Sequence, residues 1–173
     1  MFEKVEFRND DVLISQNLTP AMVKSLERGL MFEQFKKTDE LFKETKTPCI
    51  LAVLSEGIDE FPEWVEYIKF NISRFKIEMH GLMHVDYRNF NYQQGLNYLA
   101  LAKQEIERTF DVKISRWYPP FGRKCFPEWG EKVCEELDIK LNKSIQGLPH
   151  YPFHFWNLKD VERVKRIMEK YGI

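Results

Sequence analysis

Short apolar runs alternate along this chain with longer stretches in which apolar residues recur every three or four positions. The run Cys49–Leu54 is continuously apolar and of strand length, which predicts a parallel strand covered on both faces. Ahead of it, Thr19-Pro20 reads as a cap followed by a first-turn proline, and Met22, Leu26, Leu30 and Phe35 follow at roughly helical spacing. One long helix is predicted from there to about Glu44, with Pro48 breaking the pattern. Residues 4–7 predict a short strand that runs straight into Asp10-Asp11.

The alternation continues with a helix over Pro62–Phe70, a strand over 75–79 and a helix over Tyr92–Phe110 carrying Leu96, Leu99, Ala102 and Ile106. A strand near 114–118, a helix near 127–137, strands near 140–144 and 153–156, and a closing helix from Lys159 complete the series. Strand and helix in turn argue an α/β fold with parallel strands and right-handed crossovers. Such folds build their sites just past the strand ends, where the reactive residues of this chain fall.

Composition narrows the class. At 173 residues and 43% hydrophobic, the chain fits a single domain, 1–173, with a full core. Lys and Arg total 26 against 27 Asp and Glu, with no long basic run, so a nucleic-acid partner is not expected. The first residues lack an apolar leader core, and no stretch approaches the ~20 apolar residues that span a bilayer, so the expected setting is the cytoplasm, away from membranes. Cys49, Cys125 and Cys134 are odd in number and far apart, which reads as buried free thiols.

Four segments carry candidate chemistry. Asn9-Asp10-Asp11 sets two carboxylates at a strand end, where neighbouring side chains diverge; a solvated turn would look the same. His80-Gly81-Leu82-Met83-His84 spaces two of the four histidines so that they can converge on one ion, or they are an incidental pair. With no carboxylate between them, this is not the zinc-protease signature, and a base must come from elsewhere. Trp117-Tyr118-Pro119-Pro120-Phe121-Gly122 is a rigid aromatic turn, able to aim a backbone N–H at a developing oxyanion or merely to pack. His150 and His154 flank an aromatic stretch, and either is a candidate proton donor or a satisfied core histidine. The strand predicted nearby puts His154 at its start or within its body.

Together and in this order, the segments resemble the motifs of the polysaccharide deacetylase family, the NodB-homology or carbohydrate esterase family 4 domain. The resemblance covers about residues 5–156 and implies a distorted, reduced (β/α) barrel with fewer than eight strands. Asn9-Asp10-Asp11-Val12 is similar to the first motif, which implies Asp10 as general base and Asp11 as metal ligand. The segment from His80 to His84 resembles His-(Ser/Thr)-x-x-His, implying two more ligands, with Gly81 in place of the hydroxyl residue that braces the loop. Trp117 to Gly122 resembles aromatic-Arg-Pro-Pro-aromatic-Gly, which gives the main chain of Phe121 an oxyanion role. Tyr118 stands where the family has an arginine that orients the base, with Arg116 and Arg123 as neighbouring substitutes. Phe153-His154-Phe155 resembles the Leu-x-His motif and makes His154 the acid, with His150 as the alternative; the aspartate of the fourth motif has no match.

The resemblance further implies one divalent cation, zinc foremost with cobalt or nickel also compatible. The substrate would be an acetylated sugar or small molecule, and Tyr118, Trp117 and Trp156 are expected to touch it. The implied reaction is hydrolysis of an acetyl group, N-acetyl before O-acetyl, from a sugar or glycan precursor. Hydrolysis of another C–N bond, in a cyclic amide or ureide, and a decayed carbohydrate-binding protein are the alternatives.

Overall fold

Six strands pair in parallel into one curled sheet, in the order Lys140–Leu141, Arg116–Trp117, Phe75–Gly81, Cys49–Leu54, Glu6–Val12 and His150–Phe153, a half-barrel wrapped by helices. The computed structural model describes residues 6–15, 18, 20–27, 29–142 and 150–173. In chain order the elements are β1 Glu6–Val12, α1 Pro20–Glu27, α2 Leu30–Glu44, β2 Cys49–Leu54, α3 Pro62–Phe70, β3 Phe75–Gly81 and α4 Tyr92–Phe110. They are followed by β4 Arg116–Trp117, α5 Gly130–Glu136, β5 Lys140–Leu141, β6 His150–Phe153 and α6 Leu158–Tyr171. Among these residues no helix is long and apolar enough to cross a membrane.

The strand period of two sorts the sheet into two faces. Phe7, Leu51, Ile77 and Met79 pack outward with helix residues such as Phe35, Phe42, Trp64, Leu99 and Ile106 in one buried core. Register pairs Arg8 with Ile50 and Ala52 with Glu78, so these residues share the inner face, where Ile50, Ala52 and Tyr118 form a second, smaller cluster. Glu78 is fully buried there. Its carboxylate accepts from the backbone N–H of Ser115 at 3.0 Å and of Arg116 at 2.8 Å and from Ser115 Oγ at 2.6 Å, and it pairs with Lys76. That carboxylate fastens the two-residue β4 to β3 and so positions the turn that follows.

Three expectations change. The long helix is two, because Gly29 adopts a left-handed φ of 65° and turns the chain between α1 and α2. The strand foreseen at 153–156 is His150–Phe153, which moves His154 from a strand's start or body to just past a strand's C-terminal end. The acidic pair lies within β1, which runs on to Val12 with a register shift between Asn9 and Val12. The predicted start at Lys4, the cap at Thr19, the side chain of Leu26 and the strand end at 143–144 lie outside the described residues.

Candidate active site

Three donors converge where β1 and β3 end. Asp11 sits at the irregularity in β1 with a left-handed φ of 59°, His80 near the end of β3, and His84 in the loop beyond. Asp11 Oδ1 is 3.1 Å from Nε2 of both His80 and His84, and all three residues are at least largely buried. The Nδ1 of His80 faces the carbonyl of Tyr118 at 2.5 Å; a carbonyl only accepts, so Nδ1 carries the proton. The Nε2 lone pair then confronts the carboxylate, and a proton or a cation must lie between them. Burial favours the neutral acid at Asp11, but the two imidazoles outweigh it and hold this carboxyl well below the usual carboxylate range. Burial likewise opposes charge on His84, and the Asp11 carboxylate overcomes it and raises the His84 pKa. Donors on a tetrahedral zinc ion with bonds of ~2.0–2.1 Å stand roughly 3.3 Å apart. The donor set, its spacing and the fixed His80 tautomer therefore fit a divalent cation.

Asp10 points to the inner face beside Asp11. Arg8, two residues back on the same face, grips it with both Nε and Nη2, the latter 2.6 Å from Oδ2. The Arg8 guanidinium lies 4.3 Å from the centre of the Tyr118 ring. Arg116, considered as a substitute for the absent arginine, turns instead to the Tyr118 hydroxyl at 3.4 Å and to Glu6 at 3.7 Å. The side chain of Arg123 lies outside the described residues.

His154 faces the triad from the other side, its Nε2 3.6 Å from Asp11 Oδ2. Its Nδ1 is 3.0 Å from Asp160 Oδ2, in the first turn of α6, and the same oxygen accepts the His154 backbone N–H at 3.2 Å. Asn9 Oδ1 accepts the N–H of Phe155 at 3.1 Å, which ties the His154 segment to β1. The Trp156 ring lies 4.9 Å from that of His154 and lines the cleft. His150 opens β6 opposite Glu6, four residues or about 13 Å of strand away from His154; its side chain lies outside the described residues.

Phe121 is exposed over the cleft with its ring 4.6 Å from that of His84. Its left-handed φ of 62° follows Pro120, which suits the third position of a tight turn closed by Gly122 N–H to Pro119 O. Six non-glycine residues among those described have positive φ. Lys46, Asp111 and Asp138 follow helix ends, whereas Asp11 and Phe121 line the cleft and Leu13, two residues after Asp11, is buried in the core.

Two expected substrate contacts are corrected. Trp117 is 0% and Tyr118 1% exposed, so neither ring offers a face to a ligand. Trp117 instead donates from Nε1 to the carbonyl of His80 at 3.1 Å, and Tyr118 supports Arg8. The residues that sequence reasoning did not assign are Arg8 and Asp160. For Arg8 a signal was present, since period two sets it on the face of Asp10; Asp160 had none beyond its place in a helix's first turn. Together these groups line an open cleft of about 1060 Å³ that also takes in Met22 and Arg163.

A pseudoenzyme of carbohydrate esterase family 4 from Bacillus anthracis superposes on this chain with a TM-score of 0.72, at 11% identity, over 98% of this chain and 61% of its own. The fold is that of carbohydrate esterase family 4. A family 4 esterase from Streptococcus mutans has a TM-score of 0.69 at 12% identity, covering 99% of this chain and 82% of its own. A family 4 carbohydrate esterase from Bacillus anthracis gives 0.67 at 17%, covering 97% and 74%. No family model matches the sequence, and no curated protein does. This chain spans about three fifths of the length of the pseudoenzyme. A family 4 fold thus hosts esterases and a pseudoenzyme alike, and the chemistry has to be argued from the residues of the cleft.

Proposed function

We propose that this chain is a metal-dependent deacetylase that hydrolyses an N-acetyl group on a sugar or glycan precursor. The observation that carries the reading is one buried carboxylate oxygen 3.1 Å from two imidazole nitrogens, between an oriented carboxylate and an oriented histidine. Asp11, His80 and His84 would hold the cation, zinc foremost. Such an ion supplies positive charge against an acyl oxygen and acidifies a water in contact with it.

The residues of the chain do the rest. Asp10, held by Arg8, takes the proton of the attacking water as its oxygen bonds to the acyl carbon. The N–H of Phe121 donates to the oxyanion, an interaction worth about 3 kcal/mol in comparable sites. The C–N bond then breaks, and His154 passes a proton from Nε2 to the amine while Asp160 fixes its ring. Acetate and a free amine are the products. Trp156 and Phe121, at the cleft, are the aromatic surfaces available to a sugar ring.

The test is acetate release from N-acetyl sugars, nucleotide sugars and chitooligosaccharides, using chelator-stripped protein with and without zinc, cobalt or nickel. Asp10→Asn is expected to abolish turnover with zinc still bound, and His80→Ala or His84→Ala to lose the zinc. Turnover that persists without metal would contradict the reading. The likeness to a pseudoenzyme favours a second reading, a carbohydrate-binding protein without activity. Metal-restored acetate release removes it.

A further inference from the structure

We infer that Arg8 and Tyr118 form one orienting unit for Asp10, in which the cation works from β1 because the residue after β4 is a flat, uncharged ring. The inference rests on Asp10 acting as the base in the proposed reaction.

Arg8 and Asp10 are an i, i+2 pair on the inner face of β1, with side chains 12% and 9% exposed. The guanidinium meets both carboxylate oxygens, and a planar two-pronged grip fixes the carboxylate plane as a single-point ammonium does not. What fixes the guanidinium in turn is Tyr118, 1% exposed, whose ring lies 4.3 Å from Arg8 Cζ. Tyr118 is itself anchored, its backbone N–H donating to Met79 O at 2.8 Å and its hydroxyl accepting from Arg116. Its carbonyl accepts from His80 Nδ1. One residue therefore orients a metal-ligand histidine through its main chain and the base through its side chain.

The geometry makes positions 8 and 118 mutually dependent. Two guanidinium groups there would face each other within contact distance, and their like charges would repel at positions that are mostly buried. A cation at 118 is tolerable only when position 8 gives up its own. Arg8 is a positioning residue in this arrangement, acting on substrate only through Asp10.

The experiment compares wild type, Arg8→Ala, Arg8→Lys, Tyr118→Arg and the double variant Arg8→Ala/Tyr118→Arg, each for zinc affinity, kcat and KM, with zinc-loaded crystal structures of the set. Arg8→Ala is expected to lower kcat by about 10–100-fold with KM and zinc affinity little changed, the scale of other supporting contacts around metal sites. Tyr118→Arg alone is also impaired, and the double variant outperforms both singles. In the crystals the Asp10 carboxylate leaves its position in Arg8→Ala and regains it in the double variant. Arg8→Lys keeps the charge without the fork, loses most of the rate, and carries the test where the alanine variant does not fold. An unmoved Asp10 in Arg8→Ala, full activity in Arg8→Lys, or a double variant no better than its parents overturns the inference. An inert wild type whose Asp10 nonetheless moves and returns as described refutes the deacetylase reading and leaves the orienting unit standing.

Discussion

The hydroxyl of Tyr87 accepts the N–H of Leu82 at 2.9 Å and donates to the carbonyl of Met83 at 3.3 Å, holding the loop between the two ligand histidines from outside. It reaches there because Gly81 has no side chain: a Cβ at position 81 would lie 2.4 Å from that hydroxyl, and the φ of 146° strains any other residue. Gly81→Ser, which restores the residue type of the related motif, is therefore expected to lower unfolding stability by about 2–4 kcal/mol from overpacking and backbone strain. In a Tyr87→Phe background the same change should cost less, and urea unfolding of the four proteins of that cycle measures the coupling. Equal costs in both backgrounds would show that the hydroxyl is not what position 81 accommodates. Asp160 plays a comparable part for His154. Asp160→Ala is expected to lower kcat by about 10–100-fold through loss of ring orientation, with zinc affinity unchanged by calorimetry; an unaltered kcat would show that His154 does not depend on Asp160 for its orientation. The candidate metal donors were legible through the order in which the segments resemble the family's motifs, since an acidic pair alone suits a solvated turn and a histidine pair alone an incidental one. Tyr87 and Asp160 were not legible, because each works across a turn or an element boundary that no short motif encodes, and Arg8 showed only as a residue sharing the strand face of Asp10.

Helix α4 shows how an element far from the cleft supports a candidate metal donor. Its buried Gly95 lies under Trp129, whose indole N–H donates to Phe90 O at 2.7 Å and whose ring stacks on Trp117 with centroids 6.0 Å apart. Trp117 in turn donates to the carbonyl of His80. Alanine ordinarily gains up to about 1 kcal/mol over glycine inside a helix. At position 95, however, its Cβ would fall 2.3 Å from the Trp129 ring. Gly95→Ala is thus expected to destabilise by about 1–3 kcal/mol net, read by urea unfolding, with weaker zinc binding as the indole pair shifts. A stabilised variant would mean that Trp129 yields freely and that this packing does not set His80. Elements of this kind declare themselves by period: β2, α3 and α4 begin and end where their apolar patterns do, α3 opened by Pro62 and α4 by the capping box of Asn91 and Gln94. The differences arise where a single residue or a tertiary contact overrides the pattern. Gly29 interrupts a pattern that reads as one helix, the strand foreseen near 114–118 shortens to the two residues of β4 held by the Glu78 carboxylate, and β6 ends at Phe153 where the chain turns to meet Asn9 and Asp160.

At the scale of the molecule, the cleft draws on chain segments that are remote in sequence. Asp11 and His80 are 69 residues apart, and the segment behind His154 reaches back 146 residues to Asn9. A cation held by β1, β3 and the loop after β3 would therefore cross-link the sheet at its centre, in a site that otherwise sets a buried carboxylate against two imidazole nitrogens. Binding restricted to the folded state adds RT ln(1 + [L]/Kd), about 2.7 kcal/mol when free zinc exceeds its Kd a hundredfold. For a chain of this length each kcal/mol moves the melting temperature by about 2–4 °C, so zinc is expected to raise it by about 5–10 °C over chelator-treated protein. The shift should grow with the logarithm of free zinc and vanish in His84→Ala, whereas Asp10→Asn, which spares the three ligands, should keep it. Differential scanning calorimetry across a zinc series reads all three proteins without any substrate. A wild type indifferent to zinc would mean that these donors are satisfied by protons alone, and a shift that survives His84→Ala would place the ion elsewhere. Because this readout needs no turnover, it separates the question of whether the half-barrel is built around a cation from the question of which acetyl group the cleft accepts.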